Sequence, residues 1–196
     1  RTGLPAGVYT CTVTDVNTCT VSTSAVITQP AAILSASTTV SNVLCFGAST
    51  GSINLTPSGG TTPYTFNWGG GITTEDRTGL VTGVYTCTVT DFNGCLSTVT
   101  STITQPASAL TASTSVNNVT CFGTSTGSIN LTPSGGTAPY TFNWGAGITT
   151  EDRINIPAGA YSCTVTDVNT CTTSISASII EPSSLIASTV LSSSIN

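Results

Sequence analysis

Apolar and polar positions alternate along short stretches of this chain. The clearest are ILSASTTVSNV (33–43), SINLTPS (52–58), PYTFNW (63–68), VYTCTVTD (84–91) and STVTSTITQP (97–106). A period of two residues is the pattern of a β-strand with one buried face, because successive side chains point to opposite sides. No stretch carries the i, i+3, i+4, i+7 spacing of an amphipathic helix. Ile53 and Leu55 share one face of their strand, as do Tyr64, Phe66 and Trp68, then Tyr85, Cys87 and Val89, then Val99 and Ile103. These residues are the expected core. Gly59-Gly60, Gly69 to Gly71 and Asp91-Phe92-Asn93-Gly94 supply turns between the strands.

The pattern repeats. Arg1, Arg77 and Arg153 are 76 residues apart (77 − 1 and 153 − 77), and Tyr9/Tyr85/Tyr161, Cys11/Cys87/Cys163 and Cys19/Cys95/Cys171 follow the same period. Residues 45–77 match 121–153 except at Ala48/Thr124, Thr62/Ala138 and Gly70/Ala146. About seven short strands per period predict an all-β fold of tandem immunoglobulin-like, or PKD-like, β-sandwich modules of 76 residues in an extended array. A proline tripeptide at Pro30, Pro106 and Pro182 phases the repeat. Complete modules are expected at 31–106 and 107–182, with 1–30 the C-terminal part of a preceding module and 183–196 the first strand of a following one. Modules joined across Gln105-Pro106-Ala107 leave almost no linker, so a stiff string is expected.

Composition narrows the chemistry. Of 196 residues only 6% are charged, with three Arg, no Lys, no His and no Met, and a formal net charge of −5. Ser and Thr supply roughly a third of the chain instead. Without His there is no Ser-His-Asp or Cys-His catalysis of the usual kind and no imidazole for zinc. Three Arg do not neutralise a run of phosphates, so nucleic acid is not an expected partner. No apolar run reaches the roughly 18–20 residues of a membrane span. The chain is not expected to be an enzyme.

Individual residues suggest structural roles first. Tyr85 lies two residues before Cys87, the spacing of a tyrosine corner. Phe66, Trp68 and Tyr85, with Phe142, Trp144 and Tyr161 one period on, are assigned to the core ahead of sugar stacking. Thr86, Thr88 and Thr90 form a row on the opposite face, as high β propensity allows. Glu75 and Asp76 are adjacent and so point apart, with Arg77 beside them as an ion-pair partner; the same holds at Glu151, Asp152 and Arg153. Asp91 and Asn93, with Asp167 and Asn169, are weak calcium candidates, because calcium wants six to eight oxygens and no full ligand loop is visible. Asx turns are the simpler account. No cofactor is otherwise expected.

Each module has three cysteines. With no His and no CxxC pair, disulfides of an extracellular protein suit them better than metal. If Phe92-Asn93-Gly94 is a three-residue hairpin loop, Asp91 opposes Cys95 and Cys87 opposes Val99. Cys95 then shares inward parity with Val99 and Ile103, and Cys45 at the end of the first strand is positioned to meet it. This reading pairs Cys45 with Cys95 and Cys121 with Cys171, each bond contributing roughly 4 kcal/mol on the chain-entropy model. Cys11, Cys87 and Cys163 are left as thiols. The alternative pairs Cys45 with Cys87 and leaves Cys95 to bond another module or another chain, which an odd count per module keeps open.

Cys45-Phe46-Gly47, Gly59-Gly60, Pro63-Tyr64, Trp68, Leu80, Gly83, Tyr85, Asp91, Gly94-Cys95 and Gln105-Pro106 together resemble the SprB-type repeats of large Bacteroidota surface adhesins. Cys87 departs from that pattern, where such repeats more often carry Val, and so do Thr18 and Thr170 where Gly94 stands. The resemblance implies a cell-surface, extracellular location, export by the type IX route, and adhesion or gliding. The expected partners are neighbouring modules of the same chain, identical chains in a filament, or surface glycans. Two functions follow as expectations: a structural stalk or fibre, and weak multivalent glycan- or surface-binding modules.

Overall fold

A computed structural model describes residues 1–187. The expected strand at 183–196 falls partly outside the described residues, and 183–187 form no strand. About half of the structure is strand and none of it is helix. The strands are β1 (Gly7–Thr14), β2 (Thr20–Ile27), β3 (Ser35–Ser41), β4 (Gly51–Ser58), β5 (Thr65–Asn67), β6 (Arg77–Leu80) and β7 (Gly83–Thr90). They continue as β8 (Leu96–Ile103), β9 (Thr111–Asn117), β10 (Gly127–Ser134), β11 (Tyr140–Asn143), β12 (Arg153–Ile156), β13 (Gly159–Asp167) and β14 (Thr172–Ile179).

Each full period builds two three-stranded sheets, β3-β4-β6 with β5-β7-β8 and then β9-β10-β12 with β11-β13-β14. With β3 to β8 taken as strands A, B, C, E, F and G, these are the ABE and CFG sheets of an immunoglobulin-like sandwich. Six strands form, not seven. Alternation missed β6 and β12 because they are only four residues long, and Gly79 interrupts the first of them.

The hairpin register follows the sequence reading. Cys163 opposes Ile175 and Cys11 opposes Thr23, the positions equivalent to Cys87 opposite Val99. Cross-strand hydroxyls pair on the outer faces, as in Thr86 with Thr100 at 3.0 Å and Thr12 with Ser22 at 2.6 Å. Such pairs give a Thr- and Ser-rich surface part of the stabilisation that charges give elsewhere.

Internal contacts divide the chain into two units, Arg1–Val40 with Ser52–Thr78 and Val84–Thr102, and Ser41–Gly51 with Gly79–Gly83 and Ile103–Asn196. In the first, Leu55, Cys87 and Val89 are fully buried, flanked by Tyr64, Phe66, Trp68 and Val99. In the second, Leu131, Cys163 and Val165 form the equivalent cluster, and Val119, Ile129, Ile156 and Ile179 form another. The aromatic side chains Phe66, Trp68, Tyr85, Phe142, Trp144 and Tyr161 are half-buried, so aliphatic residues and one thiol make the innermost layer. Tyr161 donates from its hydroxyl to Pro157 O at 2.8 Å and Tyr9 does the same to Pro5 O, the link of a tyrosine corner.

One glycine is fixed by its surroundings. Gly59 has φ +68°, and a Cβ there would lie 2.0 Å from Ile33 O. The same turn places Gly60, whose N–H donates to Ala32 O.

Candidate functional site

Two loops carry the reactive side chains of each period. The first is Asp91-Phe92-Asn93-Gly94-Cys95 between β7 and β8. Asp91 is buried, and its Oδ1 accepts the N–H groups of Asn93 (3.0 Å) and Cys95 (2.8 Å), while Oδ2 accepts Thr61 N–H (2.9 Å). Burial works against the charged carboxylate, but these donors and the Cys95 thiol outweigh it and hold Asp91 below the usual carboxylate range. Asp167 repeats the arrangement with Asn169, Cys171 and Thr137, and Asp15 makes the bonds to Asn17 and Cys19. Asn93 Nδ2 donates to Thr61 Oγ1, and Asn169 Nδ2 to Thr137 Oγ1. These carboxylates face N–H donors, which sets them up as loop anchors. Among the described residues no group of three or more His, Cys, Asp or Glu is placed to hold a metal.

The second loop is Cys45-Phe46-Gly47, which turns through Ala48 N–H to Cys45 O and is tied by Gly47 N–H to Gln105 Oε1 at 3.0 Å. Its counterpart Cys121-Phe122-Gly123 turns the same way and is tied by Gly123 N–H to Glu181 Oε2 at 2.7 Å. Phe46 and Phe122 are 48% and 57% exposed, aromatic rings that alternation alone did not separate from the core.

Among the described residues the two loop types meet in a disulfide between Cys45 and Cys171, with Cα atoms 5.6 Å apart. Asn169 Nδ2 also donates to Leu44 O, at 3.2 Å, beside the bond. This corrects the pairing of Cys45 with Cys95 and of Cys121 with Cys171, and equally that of Cys45 with Cys87. Cys95, Cys121, Cys19, Cys11, Cys87 and Cys163 are all free thiols.

The second copy shows why the first pairing fails. Val119 N–H donates to Ile180 O, so the loop holding Cys121 lies beyond the C-terminal end of β14, while Cys171 immediately precedes its N-terminal end. Eight residues at about 3.3 Å each separate them by roughly 26 Å, against the 4.4–6.8 Å that a disulfide needs between Cα atoms (about 5.5 Å is usual). Parity placed Cys95 on the inward side, but it lies in the turn before β8, where it is exposed. The bond closes 126 residues, one period more than the Cys121 to Cys171 spacing. The odd cysteine count per period was the sequence signal for a bond leaving its own copy.

Cys87 and Cys163 are buried thiols. On strand F, two residues after the corner tyrosine, Cys87 occupies the position of the immunoglobulin inter-sheet cysteine, but Leu55 on strand B packs in the same cluster where a partner cysteine would be needed. Burial pushes both thiols above their ordinary range, against a weaker opposing pull from backbone groups of Asn67 and Asn143.

Arg77 does not follow the ion-pair expectation. Its guanidinium carbon lies 5.7 Å from the Trp68 ring centroid and 5.8 Å from that of Tyr85, and Arg153 repeats this with Trp144 and Tyr161 at 5.8 and 5.5 Å. Asp76 and Asp152 instead accept the N–H groups of Leu55 and Leu131, each at 2.9 Å. A cation between two aromatic faces is worth about 0.5–1 kcal/mol per face at a partly exposed site.

Among the described residues no helix is long and apolar enough to cross a membrane. No curated protein matches the chain. Residues 37–73 and 113–149 match the SprB repeat, spanning β3 to β5 and β9 to β11 with the Cys-Phe-Gly loop in each. That family is a structural repeat of cell-surface adhesins and not an enzymatic one, which points to the cell surface or the extracellular space. The SprB repeat model thus matches twice, once in each complete period, and that family suggests a Bacteroidota cell-surface adhesin repeat region.

Proposed function

We propose that these repeats form a structural stalk or fibre of a secreted surface adhesin or extracellular filament, exported by the type IX route and serving adhesion or gliding. The observation that carries this reading is the covalent bond from Cys45 of one 76-residue period to Cys171 of the next. Both cysteines lie in the second compact unit, where the bond ties a loop of one period to a loop of the next, so tension along the chain loads it. The Arg-aromatic stacks and hydroxyl pairs suit the same purpose, since neither places a catalytic group in a cleft.

Single-molecule stretching tests it. The oxidised chain should extend about 430 Å less than the reduced chain, because the bond locks 126 residues at roughly 3.4 Å each. Equal extension in both states would remove the support. Weak multivalent surface or glycan binding is a second reading, favoured by the Phe92 ring, which is 71% exposed. On that reading Phe92→Ala lowers retention on a glycan or hydrophobic surface; on the stalk reading retention does not change.

A further inference from the structure

The completed joint shows what holds a Cys-Phe-Gly loop. Gln105, of the loop's own period, holds the Gly47 N–H beside the joint, Cys171 of the next period forms the disulfide, and the Asp167 carboxylate holds the Cys171 N–H. One period earlier the same residues recur in the first unit. Gln29 stands for Gln105, Asp91 for Asp167 and Cys95 for Cys171. Between them lies a cleft of about 540 Å³, lined by Gln29, Asp91 and Cys95 and floored by Pro30, Ile33 and Leu34. The loop anchor is already built, with Cys95 N–H held 2.8 Å from Asp91 Oδ1 and the thiol exposed.

We propose that this cleft is a docking site for a Cys-Phe-Gly loop from another copy of the same repeat. The glutamine takes the glycine N–H, the apolar floor takes the segment around the phenylalanine, and Cys95 seals the contact as a disulfide. Two thiols lose two protons and two electrons in forming the bond. A disulfide oxidant such as oxidised glutathione takes these up and leaves as two reduced glutathione molecules. The inference rests on the reading of the copies as covalently joined.

Cys19 provides an internal control. It occupies the same Asp-x-Asn-x-Cys loop, with its N–H on Asp15 Oδ1 at 2.8 Å, and is also exposed, but it is not among the residues lining this cleft. The test incubates the intact chain in a glutathione redox buffer with a synthetic peptide of the sequence 42–50 (NVLCFGAST), followed by alkylation and non-reducing peptide mapping. The peptide should attach to Cys95 at least tenfold more than to Cys19. Gln29→Ala and a peptide with alanine for phenylalanine should each reduce that preference several-fold, while Gln29→Ala leaves the Cys45–Cys171 peptide intact in the same digest. Equal attachment at Cys95 and Cys19 would overturn the docking site. Absence of the Cys45–Cys171 peptide would instead remove the joint on which the proposed function rests, so the two failures are read separately in one experiment.

Discussion

The same octapeptide, GVYTCTVT, forms both β1 and β7. In each case it is the first arm of an antiparallel hairpin closed by an Asp-anchored loop. Yet Val13 is 60% exposed in β1 while Val89 is 0% exposed in β7, and Cys11 is exposed where Cys87 is buried. β1 pairs with β2 alone, whereas β7 lies between β5 and β8 and packs through Cys87 and Val89 against Leu55 of the other sheet. Strand pairing and register are thus written in the local sequence, while burial depends on a second sheet brought from elsewhere in the chain.

The strongest way to break this comparison is to place a charge at both equivalent valines. Val89→Asp buries an uncompensated carboxylate and should destabilise the first two-sheet core by about 3–5 kcal/mol, read as loss of its thermal transition by circular dichroism. Val13→Asp should change stability by less than about 0.5 kcal/mol, the usual range for an exposed site. Comparable losses in the two variants would mean that β1 is buried in solution.

Thiol reactivity probes the same pair without mutation. Cys11 should react with iodoacetamide as an open thiol, while Cys87 and Cys163 react on the order of a hundredfold more slowly until the chain is denatured, since reaction needs an accessible thiolate. At pH 9 Cys87 should still label slowly, because burial raises its pKa and keeps it largely as the thiol. Mass spectrometry of the labelled peptides gives all three rates.

Acid should act on the Asp91 loop. Its folded pKa is depressed, so the stabilisation it gives is present above the ordinary carboxylate pKa near 4 and is lost as pH falls through the lower folded value. Melting temperature measured from pH 6 to pH 2 should fall most steeply below about pH 4, and Asp91→Asn should flatten that part of the curve while lowering stability at neutral pH.

The smallest effect distinguishes the loops themselves. Thr18 and Thr170 have φ +67° where Gly94 has φ +81°, and a residue with a Cβ, especially a β-branched one, is strained in the left-handed region by about 1–2 kcal/mol. Thr170→Gly should therefore raise stability by about 1 kcal/mol and Gly94→Thr should lower it by a similar amount, by chemical denaturation.

Several features were legible in the residues because their causes are local. Alternation located β4, β7 and β8, the hairpin loop set Cys87 opposite Val99, and the corner tyrosine declared itself two residues before the strand F cysteine. The misses share a different cause. Parity placed Cys95 on the inward side, although it is exposed in the turn before β8, and it carried no information on position along the sandwich, so the pairing with Cys45 ignored the length of β8. Arg77 was given to its acidic neighbours because they are adjacent in sequence, whereas two aromatic faces from separate strands claim it. Phe46 and Phe122 read as apolar residues without a stated side, and the fold leaves them half open in the Cys-Phe-Gly loops.

The sequence by itself determined the period, the β class, the hairpin register and the absence of imidazole and lysine chemistry, since each follows from residue identity or spacing within a few tens of positions. The tertiary structure alone decided which cysteines bond, because a disulfide depends on two Cα atoms coming within a few ångströms and Cys45 meets Cys171 across 126 residues. It also decided how deeply Cys87 and Val89 of β7 are buried, because the apolar face of a strand is buried only when a second sheet covers it.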